Sequence, residues 1–183
     1  MTQDRLRKAP EISTIRWFNT PTPLSLAALR GRVVLLHAFQ MLCPGCVQMA
    51  LPQAQRHLHE TFPRDEVAVV GLHSVFEHHD AMTPVSLEAF LHEYRLTFPV
   101  GVDAPGAQGP IPLTMSAYAM QGTPTLVLID REGRIRRQRF GHVPDLLLGA
   151  DIAALLREPA APSLPVQAAA GAGCADGVCA APA

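Results

Sequence analysis

With 183 residues, 48% of them hydrophobic and 17% charged, the chain holds enough apolar material to bury an ordinary globular core without a staple. A formal net charge of -1 excludes the strong basic excess by which binders of nucleic acid or anionic membranes are recognised. Four cysteines are too sparse for a disulfide scaffold, and they fall in two closely spaced pairs, which points to redox or metal chemistry instead.

No stretch approaches the roughly eighteen apolar residues of a membrane span. The first ten residues carry Asp4, Arg5, Arg7 and Lys8 with no apolar run behind them, so the expectation is a cytoplasmic protein with no membrane span. Trp17 and Phe18 predict a short added strand, and Leu24 to Arg30 a helical turn. From Gly31, the run Arg32 to Phe39 is nearly continuous, apolar and β-branched, as a strand buried on both faces of a sheet should be. It leads directly into Cys43-Pro44-Gly45-Cys46. Val47, Met49, Ala50, Leu51, Ala54 and Leu58 then recur at helical spacing up to Phe62, with Pro52 as an expected kink.

A second buried strand reads from Glu66 to Leu72, followed by a helix from Ser86 to Tyr94 with Ser86 as its cap. The Gly- and Pro-rich segment Pro99 to Pro112 predicts a loop, and Leu113 to Met120 a short helix. Thr125 to Ile129 and Arg134 to Phe140 read as a hairpin joined through Asp130-Arg131-Glu132-Gly133, and Pro144 to Arg157 as a closing helix. The pattern is α/β, with a mixed sheet flanked by helices, parallel in its first half and antiparallel at the end. Residues 1–158 make one expected domain. Residues 159–183, dominated by Ala, Pro and Gly, predict a flexible tail that carries Cys174 and Cys179.

Three features in this order resemble the thioredoxin superfamily, and within it the redoxin branch related to the TlpA- and ResA-like thiol-disulfide oxidoreductases. They are CxxC between an apolar strand and a helix, Gly122-Thr123-Pro124-Thr125 opening a later strand, and the Leu128-Ile129-Asp130-Arg131-Glu132-Gly133-Arg134 hairpin. The resemblance, over residues 11 to 157, implies a thioredoxin fold and an enzyme that exchanges disulfides with protein or small-molecule dithiols. It implies no cofactor or metal.

A cysteine at a helix start faces free backbone N-H groups and the positive end of the dipole, which favour its thiolate, so Cys43 is the expected nucleophile. Cys46, one turn inside the helix, is placed to attack the mixed disulfide and release the product. Pro44 suits the first helical position because its missing N-H would have had no intrahelical partner. By resemblance, Pro124 is a cis-proline opposite the cysteines that leaves the Thr123 backbone free to pair with a substrate strand. His37, six residues before Cys43, occupies the place where thioredoxins hold a buried acid. It reads either as a base for Cys46 or as a core histidine bonded to backbone.

Other readings compete. A peroxiredoxin would have Thr and Pro where this chain has Gln40 and Leu36, and a zinc module could in principle use Cys43, Cys46, Cys174 and Cys179. His73, Glu77, His78, His79 and Asp80 form a ligand-rich cluster after the second strand, expected to be a solvated loop. The run Arg131, Arg134, Arg136, Arg137 and Arg139 suits an edge strand protected by charge, or a docking patch for an acidic partner. Asp-Gly between Cys174 and Cys179 is a turn signal, so the tail pair is a candidate redox relay to Cys43.

Overall fold

The structure, a computed structural model, describes residues 7–159. Six strands form one sheet: β1 (Thr14–Phe18), β2 (Val33–Phe39), β3 (Val67–His73), β4 (Val100–Asp103), β5 (Thr125–Ile129) and β6 (Ile135–Phe140), in the order β1-β4-β3-β2-β5-β6. The run Val33 to Phe39 becomes the central strand because all seven of its residues are buried. It pairs in parallel with β3 (Val33 beside Val67) and antiparallel with β5 (Val34 beside Ile129).

Helices follow from the connections. A motif helix over residues 44–59 carries the chain from β2 to β3, and α1 (Pro84–Glu93) carries it from β3 to β4. Both parallel crossovers advance in the same direction along the sheet. With the usual right-handed connection, both helices therefore lie on one face, and α3 (Asp145–Arg157) joins them there. Val33, Leu35 and Phe39 of β2 pack on that face with Leu51, Ala54 and Leu58, with Leu87 and Leu91, and with Leu148, Ile152 and Leu155. The alternate residues Val34, Leu36 and Ala38 pack on the other face with Leu26, Leu29, Met115 and Tyr118, the last two from the segment of α2 (Leu113–Ala117).

Three expectations need correction. The segment from Pro99 is not all loop: Val100–Asp103 is a strand, with Gly71 beside Val100 in β3 and Trp17 beside Gly101 in β1. Its glycine leaves room for neighbours, since a Cβ on Gly101 would stand 2.7 Å from Thr14 Cγ2. Because β1 pairs antiparallel with β4, the sheet is antiparallel at both margins and not only at its end. The cap of α1 is Thr83, whose side chain accepts from Ser86 N-H, with Pro84 opening the helix.

Pro52 keeps helical φ and ψ, -57° and -41°, within the motif helix. The helix contains wide turns over Cys46–Ala50 and Gln53–His59, in which an N-H reaches the carbonyl five residues back, as Glu60 does to Gln55 at 3.0 Å. Such turns in an otherwise α-helical segment often accompany functional sites. Gln53, buried inside the helix, donates to Val143 O at 2.7 Å and to Asp145 Oδ1 at 2.6 Å, tying the helix to the loop before α3.

Candidate active site

The carboxyl end of central strand β2 leads into Gln40, Met41 and Leu42, and the motif helix begins at once. Cys43 is half-buried, while Cys46 is 0% exposed. The Cys46 N-H points at Cys43 Sγ at 3.4 Å, so a helix-terminal amide is aimed at that sulfur. The Cys43 thiol in turn donates to Thr123 O at 3.5 Å. Burial, and next the adjacent Cys43, push the Cys46 thiol up to about 12. The outer cysteine can therefore be reached, whereas the inner one is held as a thiol at neutral pH.

Opposite the motif, the Thr123–Pro124 peptide is cis. Pro124 Cδ lies 3.6 Å from where a Cβ on Gly45 would stand, so the two loops are in van der Waals register and Gly45 leaves the approach open. Thr125 Oγ1 donates to Gly122 O at 2.6 Å and Gly141 N-H to Pro124 O at 2.8 Å, which fixes this loop against the end of β6.

A cleft of about 490 Å³ opens on Cys43, with Leu42, Phe140 and Met82 among its apolar walls and Glu77 and Thr123 among its polar ones. Gln40, only 1% exposed, fastens those walls together. Its Nε2 donates to Glu77 Oε1 at 3.3 Å and to Thr123 Oγ1 at 3.4 Å, and its Oε1 accepts from Phe76 N-H at 3.4 Å. In the sequence Gln40 speaks only against a peroxidase; what marks it is a large amide at the end of an otherwise apolar run.

His37 is buried, in register with Gly71 on one side and Leu126 on the other. Its parity along β2 puts it on the face that carries Cys46. Its Nε2 has no hydrogen-bond partner, and burial, aided by the neighbouring charge of His142, lowers its pKa to about 4. The ligand-rich cluster divides. His73 is not in a solvated loop: it ends β3, is 0% exposed, and packs with its ring 5.3 Å from the Phe39 ring at a tilt of 48°, whereas Glu77, His78, His79 and Asp80 are exposed as expected. Among the described residues no group of three or more His, Cys, Asp or Glu is placed to hold a metal ion. The basic run lies on and beside edge strand β6. Arg134 bonds Asp130 at 2.8 Å, Arg136 bonds both Glu158 oxygens at 2.6 Å and Arg137 meets Asp151 at 3.5 Å, so these three arginines already have internal partners. Cys174 and Cys179 lie outside the described residues.

Residues 7–148 match the family model named Redoxin. The chain belongs to the redoxin family. It is 59% identical to a crystal structure of a thioredoxin-like superfamily protein, with a TM-score of 0.82, covering 85% of this chain and 99% of that one. It is 48% identical to a thiol-disulfide isomerase from Corynebacterium glutamicum, with a TM-score of 0.78 and coverage of 82% and 98%. Protein DipZ of Mycobacterium bovis is 28% identical over 137 residues, 73% of this chain, and the match spans only 18% of DipZ. Fold and family are thus those of a thioredoxin-like redoxin, and the chain spans less than a fifth of the length of the DipZ proteins it matches. No helix among the described residues is long and apolar enough to cross a membrane.

Proposed function

We propose that this redoxin moves electron pairs between dithiols and disulfides through Cys43 and Cys46. The Cys43 thiolate attacks one sulfur of a substrate disulfide; that S–S bond breaks, a Cys43–substrate bond forms, and the second substrate sulfur leaves and is protonated. Cys46 then gives up its proton and attacks Cys43 Sγ, closing the Cys43–Cys46 disulfide and expelling the other substrate thiol. The substrate gains two electrons and the enzyme loses two; the reverse sequence oxidises a dithiol.

The observation that carries this reading is the unequal pair itself. Cys43 is half-buried at a cleft beneath a helix amide, and Cys46 is fully buried behind it as a high-pKa thiol. Thr123 would pair its backbone with the substrate chain and Pro124 would shape that contact. His37, neutral at pH 7, would accept the Cys46 proton in the resolving step. Its place on the face that carries Cys46 and its free Nε2 support this, whereas burial works against it by lowering its pKa to about 4, so the transfer has to be coupled to departure of the substrate thiolate, which takes up the proton. Substrate identity follows the chemistry: a protein or small-molecule disulfide, or the matching dithiol. In a cytoplasmic setting, as expected from the sequence, a reducing poise would make the enzyme a reductase.

The test is a pair of variants. Cys43→Ser abolishes exchange, while Cys46→Ser accumulates mixed disulfides visible by non-reducing mass spectrometry; turnover retained in the Cys43 variant overturns the proposal. His37→Ala slows resolution by Cys46 more than attack by Cys43, and equal slowing of both removes the proton-acceptor role.

Cys174 and Cys179 enter the proposal as a relay. Their dithiol would reduce the Cys43–Cys46 disulfide, becoming a disulfide that an external dithiol donor reduces. The last described turn is anchored at the Asp130 end of β5, where Arg131 donates to Glu158 O at 3.1 Å, whereas Cys43 meets the opposite end. That strand of five residues is roughly 17 Å long, and the fourteen residues numbered 160–173 could span up to about 45 Å, so length permits the encounter. Replacing Cys174 and Cys179 by Ser should slow multiple turnover with the donor and spare single-turnover exchange. Unchanged cycling overturns the relay.

A further inference from the structure

The cleft beside Cys43 has an electrostatic sign. Of the described residues that line it, Glu77 is the one Asp, Glu, Lys or Arg; apart from Cys43 itself and His78 the others are apolar or uncharged polar groups. Glu77 is exposed, yet it is not a freely swinging surface carboxylate. The buried Gln40 amide holds Oε1 from the wall that also bears Thr123, and Phe76, next to Glu77, is pinned through its N-H to Gln40 Oε1. No Arg or Lys among the described residues bonds Glu77; the ion pairs present lie elsewhere, on Asp130, Glu132, Glu158, Asp151, Glu88, Glu93 and Asp145. A carboxylate held in place by an amide, without a cation of its own, faces the space a substrate must occupy to reach Cys43. Around it, exposed Leu42 and Phe140 offer apolar contact and no positive charge.

We propose that Glu77, positioned by Gln40, makes this redoxin select disulfides that carry a positive charge next to the attacked sulfur, as in a polypeptide whose cysteine is flanked by Lys or Arg, and discriminate against anionic disulfides. This deepens the reading of Cys43 as the nucleophile and rests on it. A cleft of about 490 Å³ is about 8 Å across if equidimensional. Across that distance in a water-like dielectric, one charge pair changes a rate by about 2-fold to 3-fold, so exchanging a cation for an anion gives about 5-fold to 6-fold. Exclusion of water from the cleft would enlarge this ratio. The Cys43 thiolate itself also favours cations, so the part due to Glu77 is isolated by comparing variants, not by the wild type alone.

The experiment uses the full chain, reduced, at pH 8, with three small disulfides as probes: cystamine (cationic), 2-hydroxyethyl disulfide (neutral) and 3,3'-dithiodipropionate (anionic). Single-turnover rates are measured by acid quench and mass spectrometry at low and at 0.5 M salt. The expected cystamine-to-dithiodipropionate ratio falls about 5-fold on Glu77→Gln, falls further on Glu77→Lys, and converges among the proteins at 0.5 M salt, where screening is nearly complete. Gln40→Leu lowers the ratio less than Glu77→Gln, because the carboxylate remains but loses its tether. A ratio unmoved by Glu77→Gln and Glu77→Lys overturns the selectivity while leaving the Cys43 chemistry standing. Failure of the wild type to react with any of the three probes overturns that chemistry instead.

Discussion

Two histidines should govern how this protein responds to acid. His37 and His73 are 3% and 0% exposed, and three of their four ring nitrogens lack a hydrogen-bond partner: Nε2 of His37 and both of His73. Burial pushes each pKa down to about 4 from 6.5. A lowered folded-state pKa on a base means that the unfolded chain binds protons more readily. The stability each neutral ring permits is thus present above pH 6.5 and drains away as pH falls from 6.5 toward 4. Integrating that window gives a loss of about 2 kcal/mol per histidine at pH 5 and about 3 kcal/mol at pH 4, hence about 6 kcal/mol for the two together. A domain of ordinary stability has only about 5–15 kcal/mol in all, so unfolding should begin between pH 5 and pH 4.

The assay is urea denaturation of the reduced protein at half-unit pH steps from 7.5 to 4.5. His73→Leu should cut the slope of stability against pH below 6.5 to about half the wild-type value, and His37→Leu should do the same. At pH 7, His73→Leu should also be neutral or stabilising by about 1 kcal/mol, because it removes two unpaired polar atoms from an apolar site. A slope unchanged in both variants would refute the reasoning, since the acid sensitivity would then reside in carboxylates and not in these rings.

Asp103, 5% exposed, accepts from Ser74 Oγ at 2.9 Å and from the Thr114 and Met115 N-H groups at 2.9 and 3.1 Å, so it anchors the start of α2 to the end of β4. Asp103→Ala strands all three donors and should cost about 3 kcal/mol, read as a lower urea midpoint with an unchanged m-value; a loss below about 1 kcal/mol would show that water replaces the carboxylate. In Cys43→Ser, alkylation of Cys46 by iodoacetamide should keep rising with pH from 7 to 10, since burial, the largest cause of its raised pKa, remains in the variant. A plateau near pH 8.5 would mean that Cys46 is solvated.

The architecture was legible where one physical signal dominated. Unbroken apolar runs marked β2 and β3, because a strand covered on both faces cannot carry solvent-seeking residues. The hairpin followed from Asp-Arg-Glu-Gly, in which Gly133 takes the positive φ of 72° that a side chain would resist. Strand β4 was missed for a reason of the same kind. Val100-Gly101-Val102-Asp103 is short, contains a glycine and ends in an acid, all marks of a loop, and each is explained only by neighbours distant in sequence. Gly101 admits Trp17 and Thr14, and Asp103 is buried because Ser74 and α2 supply its partners. Local chemistry cannot announce a strand whose justification is tertiary.

The site divides along the same line. The CxxC spacing and the Thr123–Pro124 step are local, and a chain that must place one cysteine at a helix start and another a turn behind it has few ways to be written. Histidine at 73 carried a misleading signal: adjacency to Glu77, His78, His79 and Asp80 suggested a solvated polar stretch, but strand parity places its ring on the sheet face against Phe39. Gln40 shows the opposite failure, a single polar residue that looks incidental beside a cysteine motif. Its two ends reach partners at positions 76, 77 and 123, so its importance lies in closing a triangle among three loops that only the folded sheet brings together. The sequence therefore points to the reacting sulfur directly and to the walls around it only through the fold, and for the same reason selectivity here should be altered by changes at Gln40 or Glu77 that leave the CxxC motif untouched.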